Sequence, residues 1–581
     1  MARFVQSFAP LPDPYDDDHV LRATLDRLLG DSGARAAAGP LKALSADVAG
    51  PLRAAARNAE AHPPVLRQYD GWGRRVDEID TSPGWETLRQ ASARHGLVAL
   101  PYEEQARATW GAGARVVQLA ALHLYGPESA TYSCPVAMSD GAVAVLVADG
   151  VDPGLRDALV PRLLDRDPDR AWTSGQWMTE TEGGSDVGRA TTAAVPQGDG
   201  SWRLTGEKWF CSATTSELAV ALARPEGGPP GTRGLGCFVI PRYAEPAADL
   251  SYTARPATTA PGLTVHRLKD KLGTRALPSA EIGLSEALAW PVGDPTDGGL
   301  LRMMTMVQVT RLHNAAAAAA GMRRGLMLVR NHAASREAFG QRLEQLPLHR
   351  ETLAWLAVDA EGAFALTALC FDLLGRVEVH ADAEAGRLLR VAASLAKALT
   401  AKLAVASASE YVECFGGNGF IEDTGIPRML RDAQVLPIWE GTTNIQSLDL
   451  LRALGDPRYD GLSTVSGRIR SALDGAAASG QPTLAPLVAP LRQVLADVLA
   501  AAEAILAGGV DAQARARDLL VRLASLLAAA ALLEQAGAEA CAGNARTALV
   551  ASLWVRRRVL GDPAAGAGHE GFAHIVDGRP C

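Results

Sequence analysis

The sequence lacks the patterns of a disulfide-stapled, metal-clipped or membrane-spanning protein. Its seven cysteines are scattered without CxxC or Cys/His ligand spacing, which argues against a disulfide framework and a zinc site. The longest apolar run, near residues 526–533, is well short of the roughly 20 residues that a membrane-spanning helix needs, and the N-terminus has no apolar signal region. We therefore expect a soluble protein without a bound metal, located in a reducing cytoplasm.

An excess of positive charge is also missing. The formal net charge is -8, so no global electrostatic attraction to nucleic acid or to an acidic membrane is expected. The region after residue 452 has no lysine, and acidic residues roughly balance its arginines. Its one local cluster, Arg556, Arg557 and Arg558, is interpreted as a solvated helix face rather than a phosphate contact. DNA is therefore a possible but not a favoured partner.

The 581-residue chain is long enough for two to four domains. Helical periodicity punctuated by Pro and Gly predicts a helical domain over residues 1–175. Short apolar runs between Gly, Pro and Thr-rich turns predict a β domain over 176–290. Alanine-rich helical patterns return over 291–452. After the linker-like GDPRYDGLS, a further helical domain is predicted over 453–581.

The same periodicity predicts individual helices in these domains. Alanine has the highest helix propensity and allows close packing, so HNAAAAAAGMRRGL is interpreted as a packed helix. The predicted helices are 19–29, 41–58, 85–95, 102–124, 303–333, 349–375, 383–414, 491–508, 512–536 and 538–560.

Two segments near the β domain have residues suited to holding a planar cofactor. In MTETEGGSDVG (178–188), glycines and hydroxyl groups let backbone N–H groups approach the polar edge of a ligand. In LTGEKWFCSA (204–213), aromatic side chains could cover one face of an isoalloxazine ring. Taken alone, the first also fits an ordinary polar turn and the second an ordinary core strand.

A third segment, ECFGGNGFIEDTGIPRMLRDAQVLPIWEGTTNIQ (413–446), contains a candidate catalytic base. A glycine cluster precedes a helix, and an apolar approach to WEGTTN places the carboxylate of Glu440 among apolar neighbours. A desolvated carboxylate is a stronger base than one in water, which suits the removal of a weakly acidic carbon-bound proton. An isolated glutamate would more often be a solvated surface charge, but here all three segments occur in one chain.

In order and spacing, these segments resemble the acyl-CoA dehydrogenase superfamily. The resemblance includes KLGTRALPSAEI (271–282) and SREAFGQRLEQLPL (335–348), and it covers roughly residues 85–452. HPPVLRQYDGWGRRVDEIDTSPGW (62–85), WTSGQWMTETEGGSDV (172–187) and the C-terminal extension are similar to the AidB, alkylation-response branch. The resemblance implies a mainly α fold with a helical N-terminal domain, a β-barrel-like middle domain, a C-terminal four-helix bundle and an appended helical domain.

The resemblance also implies the site residues. FAD is expected between the β domain and the later helices, shared between subunits of a homotetramer, with Glu440 as the catalytic residue and Arg275 as a substrate-binding residue. Arg336 is expected to reach the FAD pyrophosphate of the neighbouring subunit. The cofactor-binding residues implied in total are Met178, Thr179, Gly184, Ser185, Phe210, Ser212, Arg336, Phe339, Gln341, Gly416, Gly417, Thr442 and Asn444.

The implied reaction removes two hydrogens from adjacent carbons of an acyl thioester. Glu440 would take the α-proton while the β-hydride passes to flavin N5, and an electron-transfer flavoprotein is a possible acceptor. One alternative is an oxidase or monooxygenase on the same scaffold, in which reduced flavin reacts with O2. Another is an AidB-like DNA-binding protective flavoprotein with weak dehydrogenase activity, ranked lower because a basic surface is missing. The sequence leaves the substrate open.

Overall fold

The computed structural model describes residues 6, 8–243, 259–541, 543–562, 565–566 and 568–577. The chain divides into two compact units. The helical unit consists of Met1–Ser45, Gln105–Leu124 and Asn314–Cys581, and the β unit consists of Ala46–Glu104 and Tyr125–His313. Helices predominate and the long strands lie in the middle of the chain, which confirms the predicted mainly α fold with a central β domain.

The N-terminal part is helical but includes one hairpin that the sequence did not predict. Its elements are α1 His19–Asp47, a π-helical turn Val48–Leu52, α2 Arg53–Ala61, β1 Val65–Tyr69, β2 Arg75–Asp80, α3 Pro83–Arg94, α4 Glu104–Trp110, α5 Ala114–Tyr125, α6 Ser133–Leu146 and α7 Pro153–Leu163. The predicted helices 19–29 and 41–58 are joined through α1, which is kinked where Gly30 has a φ of 67°. The hairpin pairs antiparallel, with Val65 opposite Asp80.

A closed barrel forms the core of the β unit. Its strands are β3 Ser174–Trp177, β4 Ala193–Pro196, β5 Trp202–Ser212, β6 Leu218–Pro225, β7 Gly236–Pro241, β8 Leu263–Leu268 and β9 Ser279–Pro291. β6, β4, β5, β9 and β7 pair in sequence, and β6 also pairs with β7, which closes the ring. β7 is buried along its whole length and β6 along nearly all of it, which explains why they appear in the sequence as continuous apolar runs.

Long alanine-rich helices form the bundle of the helical unit. The elements are α8 Gly299–Ser335, which begins in the β unit, the two-residue strands β10 Glu337–Ala338 and β11 Gln341–Arg342, α9 Pro347–His380, α10 Ala383–Cys414, α11 Ile426–Ala433 and α12 Thr443–Gly455. Asp382 caps α10 by accepting hydrogen bonds from the backbone N–H groups of Glu384 and Ala385. α10 packs against α9, α11 and α12, and so holds the segment that contains Glu440.

The C-terminal helices pack onto this bundle. They are α13 Gly461–Ala478, α14 Ala485–Ala507, α15 Gly509–Ala512, α16 Ala516–Cys541, α17 Arg546–Trp554, a π-helical turn Val555–Val559 and α18 Gly568–Asp577. α16 packs against both α9 and α10. At this seam the Arg546 guanidinium pairs with the Glu361 carboxylate in the protein interior, and the Trp554 ring lies against Gly362. The single helix predicted over 538–560 is wrong, because the chain turns at Gly543, where φ is 78°.

Among the residues that the structure describes, three helices are long and apolar enough to cross a membrane by length and composition. The sequence-based expectation that no segment is long and apolar enough to span a membrane is therefore wrong by these two criteria. In Pro347–His380 and Gln513–Cys541, 94% and 83% of the apolar window is buried inside the protein's own fold, whereas in Ala485–Ala507 the buried share is 28%.

Candidate active site

The first group of candidate residues lies on the turn that follows β3. Glu180, within this turn, is buried, and its carboxylate accepts hydrogen bonds from the Thr191 backbone N–H and the Thr192 hydroxyl, each at 2.6 Å. The fully buried ammonium of Lys208 on β5 lies 2.6 Å from the same carboxylate and also donates to the Leu222 carbonyl at 2.6 Å. The turn is therefore tied to the strand that carries the second motif.

In the Glu180–Lys208 pair, each charge offsets the cost of burying the other. Burial acts to raise the pKa of Glu180, but the Lys208 ammonium and the hydrogen bonds hold that pKa below its ordinary value. Burial lowers the pKa of Lys208, and Glu180 opposes that shift. A buried charge is tolerated when it is paired and hydrogen-bonded, as both of these are.

The predicted cofactor-binding residues of the β unit lie on this turn and on β5. The Trp209 backbone N–H donates to the Thr179 carbonyl at 2.9 Å, which joins the turn to β5. Phe210, the next residue on that strand, is 55% exposed, and the Ser212 hydroxyl lies 3.0 Å from the Ser279 hydroxyl. On the same turn, Met178 and Gly184 are half-buried and Ser185 is exposed.

Arg275, the predicted substrate-binding residue, lies in the segment between β8 and β9. Its Nε donates to the Lys271 carbonyl at 3.0 Å, and its guanidinium is 3.6 Å from the Asp270 carboxylate. The side chain is 56% exposed. Both contacts are with residues four and five positions earlier in the chain, and they leave the guanidinium accessible to a ligand.

The second group of candidate residues belongs to the helical unit and includes Glu440. Glu440 is half-buried in this chain and has a left-handed backbone with a φ of 57°, and Gly441 follows with a φ of 99°. Two side chains hold this turn: Gln446 donates to the Glu440 carbonyl at 2.7 Å, and Lys397 donates to the Gly441 carbonyl at 2.5 Å.

The residue before Glu440 is held as well. The Trp439 indole N–H donates to the side-chain oxygen of Asn314 on α8, whose amide donates to the Leu436 carbonyl at 3.3 Å. Because α8, α10 and α12 each contribute a restraint, the position of the Glu440 turn follows from the packing of the bundle. Thr442 occupies the N-cap position of α12 without a capping hydrogen bond from its side chain, and both Thr442 and Asn444 are exposed.

The remaining candidates lie on two turns, where all are exposed except the half-buried Arg336. Arg336 follows α8, and Phe339 is at the tip of the β10–β11 hairpin with a φ of 54° and 93% exposure, next to the exposed Gln341. Gly416 and Gly417 follow α10, and a Cβ added to either would meet no atom within 4 Å.

These surfaces fit FAD. Large aromatic side chains are usually buried, yet Phe210 and Phe339 are 55% and 93% exposed. Backbone without a side chain at Gly416 and Gly417 can be approached closely by a nucleotide. Exposed rings suit a planar aromatic ligand, and open glycine backbone suits a phosphate-bearing one.

Three residues that hold these turns were not among the predicted site residues: Lys208, Lys397 and Gln446. Lysine is rarely buried, so a lysine within an apolar stretch is the sequence signal that could have indicated such a residue. Lys397 lies in such a stretch, VAASLAKALTAKLAV. Lys402 in the same stretch is exposed, so this signal does not by itself select the buried lysine.

Comparison with known proteins identifies the family. Family models match residues 11–170 (adaptive response protein AidB N-terminal domain), 175–287 (acyl-CoA dehydrogenase, middle domain) and 297–455 (acyl-CoA dehydrogenase, C-terminal domain). Acyl-CoA dehydrogenase family member 11 of Caenorhabditis elegans is 40% identical over 77% of this chain and 72% of that protein. The chain therefore belongs to the acyl-CoA dehydrogenase family of FAD-dependent oxidoreductases, and the predicted cofactor is confirmed.

Within this family the chain is AidB-like. The putative acyl-CoA dehydrogenase AidB of Escherichia coli is 35% identical over 70% of this chain and 72% of that protein. The solved structure of Caenorhabditis elegans ACDH-11 in complex with C11-CoA superposes with a TM-score of 0.88 at 35% identity and covers 95% of this chain and 92% of that one. The similarity therefore extends through the appended C-terminal helices.

Proposed function

We propose that the protein is an FAD-dependent acyl-CoA dehydrogenase that oxidises the Cα–Cβ bond of an acyl-CoA with Glu440 as the base. The observation that carries the proposal is the turn around Glu440: a carboxylate on a left-handed backbone, with restraints on its own carbonyl and on that of Gly441. A non-glycine residue in this conformation is uncommon, and such strained positions cluster at functional sites. The complex of ACDH-11 with C11-CoA supports an acyl-CoA as the substrate class.

The residues of this chain would act by position and proton transfer. When bound, FAD supplies the two-electron oxidant that accepts hydride. Glu440 takes the proton from the α-carbon, and a base that is fixed before the substrate arrives loses little entropy in reaching the reactive geometry. Phe210 and Phe339 would cover the cofactor's aromatic surfaces, and Arg336 would pair with phosphate oxygens through its guanidinium.

Anaerobic titration with saturated acyl-CoAs of increasing chain length tests this proposal. The visible absorbance of oxidised flavin should bleach in the native protein. In Glu440→Gln the rate of bleaching should fall by about 10²–10⁴-fold, the usual contribution of a general base. Glu503→Gln, at an exposed glutamate on α14, is the matched control and should bleach at the native rate. Equal rates in the native protein and Glu440→Gln would contradict the assignment of the base.

The C-terminal arginine cluster supports enzymatic function over DNA binding. Arg556 pairs with Asp562 at 2.7 Å, and Arg558 pairs with Asp359. The Arg557 guanidinium lies 4.2 Å from the centroid of the Trp355 ring. All three guanidinium groups are thus engaged within the chain, whereas phosphate binding needs free positive charge.

Assembly and electron transfer belong to the same proposal. Phe339, Leu348 and Phe420 are 93%, 86% and 82% exposed in the single chain, which supports burial against further copies. We propose a cytoplasmic homotetramer that passes electrons to an electron-transfer flavoprotein. Sedimentation velocity measures the assembly. Reoxidation of the reduced protein in air, with and without an electron-transfer flavoprotein, separates this acceptor from O2.

A further inference from the structure

A buried lysine lies beneath the catalytic turn. Lys397, in the middle of α10, is fully buried, and its Nζ is 2.5 Å from the Gly441 carbonyl oxygen. Burying an ammonium group in an apolar helix bundle is costly unless the group finds strong acceptors. A hydrogen bond from a charged donor to a neutral carbonyl is stronger than one between two neutral groups. The contact is therefore a strong restraint on the Gly441 peptide group.

Gly441 immediately follows the proposed base, so this restraint acts on the base itself. Gln446 donates to the Glu440 carbonyl at 2.7 Å, and Lys397 donates to the Gly441 carbonyl at 2.5 Å, where Gln446 makes only a longer contact of 3.3 Å. These two bonds fix the peptide planes on both sides of the Gly441 Cα. The Glu440 Cα lies in the first of these two planes, so the two bonds fix its position relative to Gly441.

The backbone conformation shows why such restraint is required. Glu440 has a φ of 57°, a region that glycine enters freely and that other residues enter only when the surroundings enforce it. Without external hydrogen bonds, the turn would relax toward negative φ and carry the Glu440 carboxylate to a different place. We propose that Lys397 is a positioning residue for catalysis, which acts through Glu440 by holding the Gly441 carbonyl. This inference rests on the proposed role of Glu440 as the base.

Substitution of Lys397 by Met tests the inference, because Met keeps the length of the apolar stem and removes the charged donor. In the FAD-loaded protein we expect the rate of flavin reduction at saturating acyl-CoA to fall by about 10–100-fold, the size of effect that a misplacement of about 1 Å produces. The affinity for acyl-CoA should change little. Lys397→Arg, which retains a charged donor, should restore part of the rate.

Hydrogen–deuterium exchange gives a readout that is independent of activity. In Lys397→Met the amides of residues 440–442 should exchange faster, while those of α10 and α12 keep their protection. Lys402→Met removes an exposed lysine from the same helix and should change neither the exchange nor the rate. Faster exchange throughout α10 in Lys397→Met would show a general structural role and would overturn the inference.

The Glu440→Gln background shows whether Lys397 acts through the base. If it does, adding Lys397→Met to Glu440→Gln should slow flavin reduction little further, because residues that act as a unit are not additive. A full additional 10–100-fold loss would mean that Lys397 acts independently, which would refute the inference. If no acyl-CoA reduces the native protein, the proposed function fails, and the exchange of residues 440–442 alone still decides whether Lys397 holds the turn.

Discussion

Replacing Lys208 by Met tests whether the buried ion pair organises the β unit. Lys208 is fully buried, and its ammonium contacts the Glu180 carboxylate and the Leu222 carbonyl, each at 2.6 Å. Met fills nearly the same volume but donates no hydrogen bond, so the variant leaves a buried carboxylate without its cation. The turn that carries Met178 and Thr179 depends on that carboxylate for its position.

The expected cost follows from the contacts that remain. Breaking a buried pair by removing one partner usually costs about 3–5 kcal/mol. Glu180 keeps its hydrogen bonds from Thr191 and Thr192, so we expect a loss at the lower end, about 3 kcal/mol. At several degrees per kcal/mol, this lowers the melting temperature of the β unit by about 10 °C.

The effect should depend on pH with a defined sign. In the native protein the pKa of Glu180 lies below its ordinary value, so the pair contributes stability above that value and loses it as the pH falls through the folded-state pKa. Without Lys208, burial dominates and raises the Glu180 pKa. At acidic pH the carboxylate of the variant is then protonated, which removes the free-energy cost of an unpaired buried charge. The difference in melting temperature should therefore be largest at neutral pH and should narrow on acidification.

Thermal unfolding followed by near-UV circular dichroism measures this loss, and flavin fluorescence measures retention of FAD. Lys42→Met, at an exposed lysine in the helical unit, serves as the control. The double variant Glu180→Gln/Lys208→Met removes both charges and should be more stable than Lys208→Met alone. If Lys208→Met melted within about 1 °C of the native protein at neutral pH, the pair would not hold the turn.

Two further changes address the helical unit. A Cβ at Gly362 would lie 2.3 Å from the Trp554 ring, so Gly362→Ala should destabilise the seam with the appended helices by about 1–3 kcal/mol. Urea unfolding of the purified variant measures this loss. An unchanged free energy of unfolding would contradict this packing. Burial lowers the pKa of His19 to about 4 from 6.5, so stability present above pH 6.5 is lost progressively toward pH 4, by up to about 3 kcal/mol. His19→Gln should reduce that acid-induced fall in melting temperature, and an identical pH profile would exclude the histidine as its source.

Helices with a clear periodicity and a recognisable capping residue could be predicted from the sequence. The pattern of α10 is alanine-rich and begins after Asp382, a favourable N-cap, and the observed helix has the predicted bounds. The β1–β2 hairpin was not predicted, because β1 alternates between exposed and half-buried residues and the one buried residue of β2 is the polar Asp77, so no face is strongly apolar. Its DGWG turn was the available signal, since Asp-Gly dipeptides favour hairpins.

Glu440 could be proposed as the base from the sequence because its motif is local. The residues that hold its turn could not be predicted, because their contacts are distant in the chain. Lys397 and Lys402 are five residues apart on α10, which places them about 140° apart around the helix. Periodicity therefore shows that the two lysines face different surroundings, but only the fold shows which one is buried and that its acceptor is the Gly441 carbonyl, 44 positions along the chain. The acceptor is a backbone oxygen, which every residue has, so no residue type at position 441 could have marked it. The restraint on the Glu440 turn is thus encoded in helix packing rather than in the motif from which Glu440 is proposed as the base.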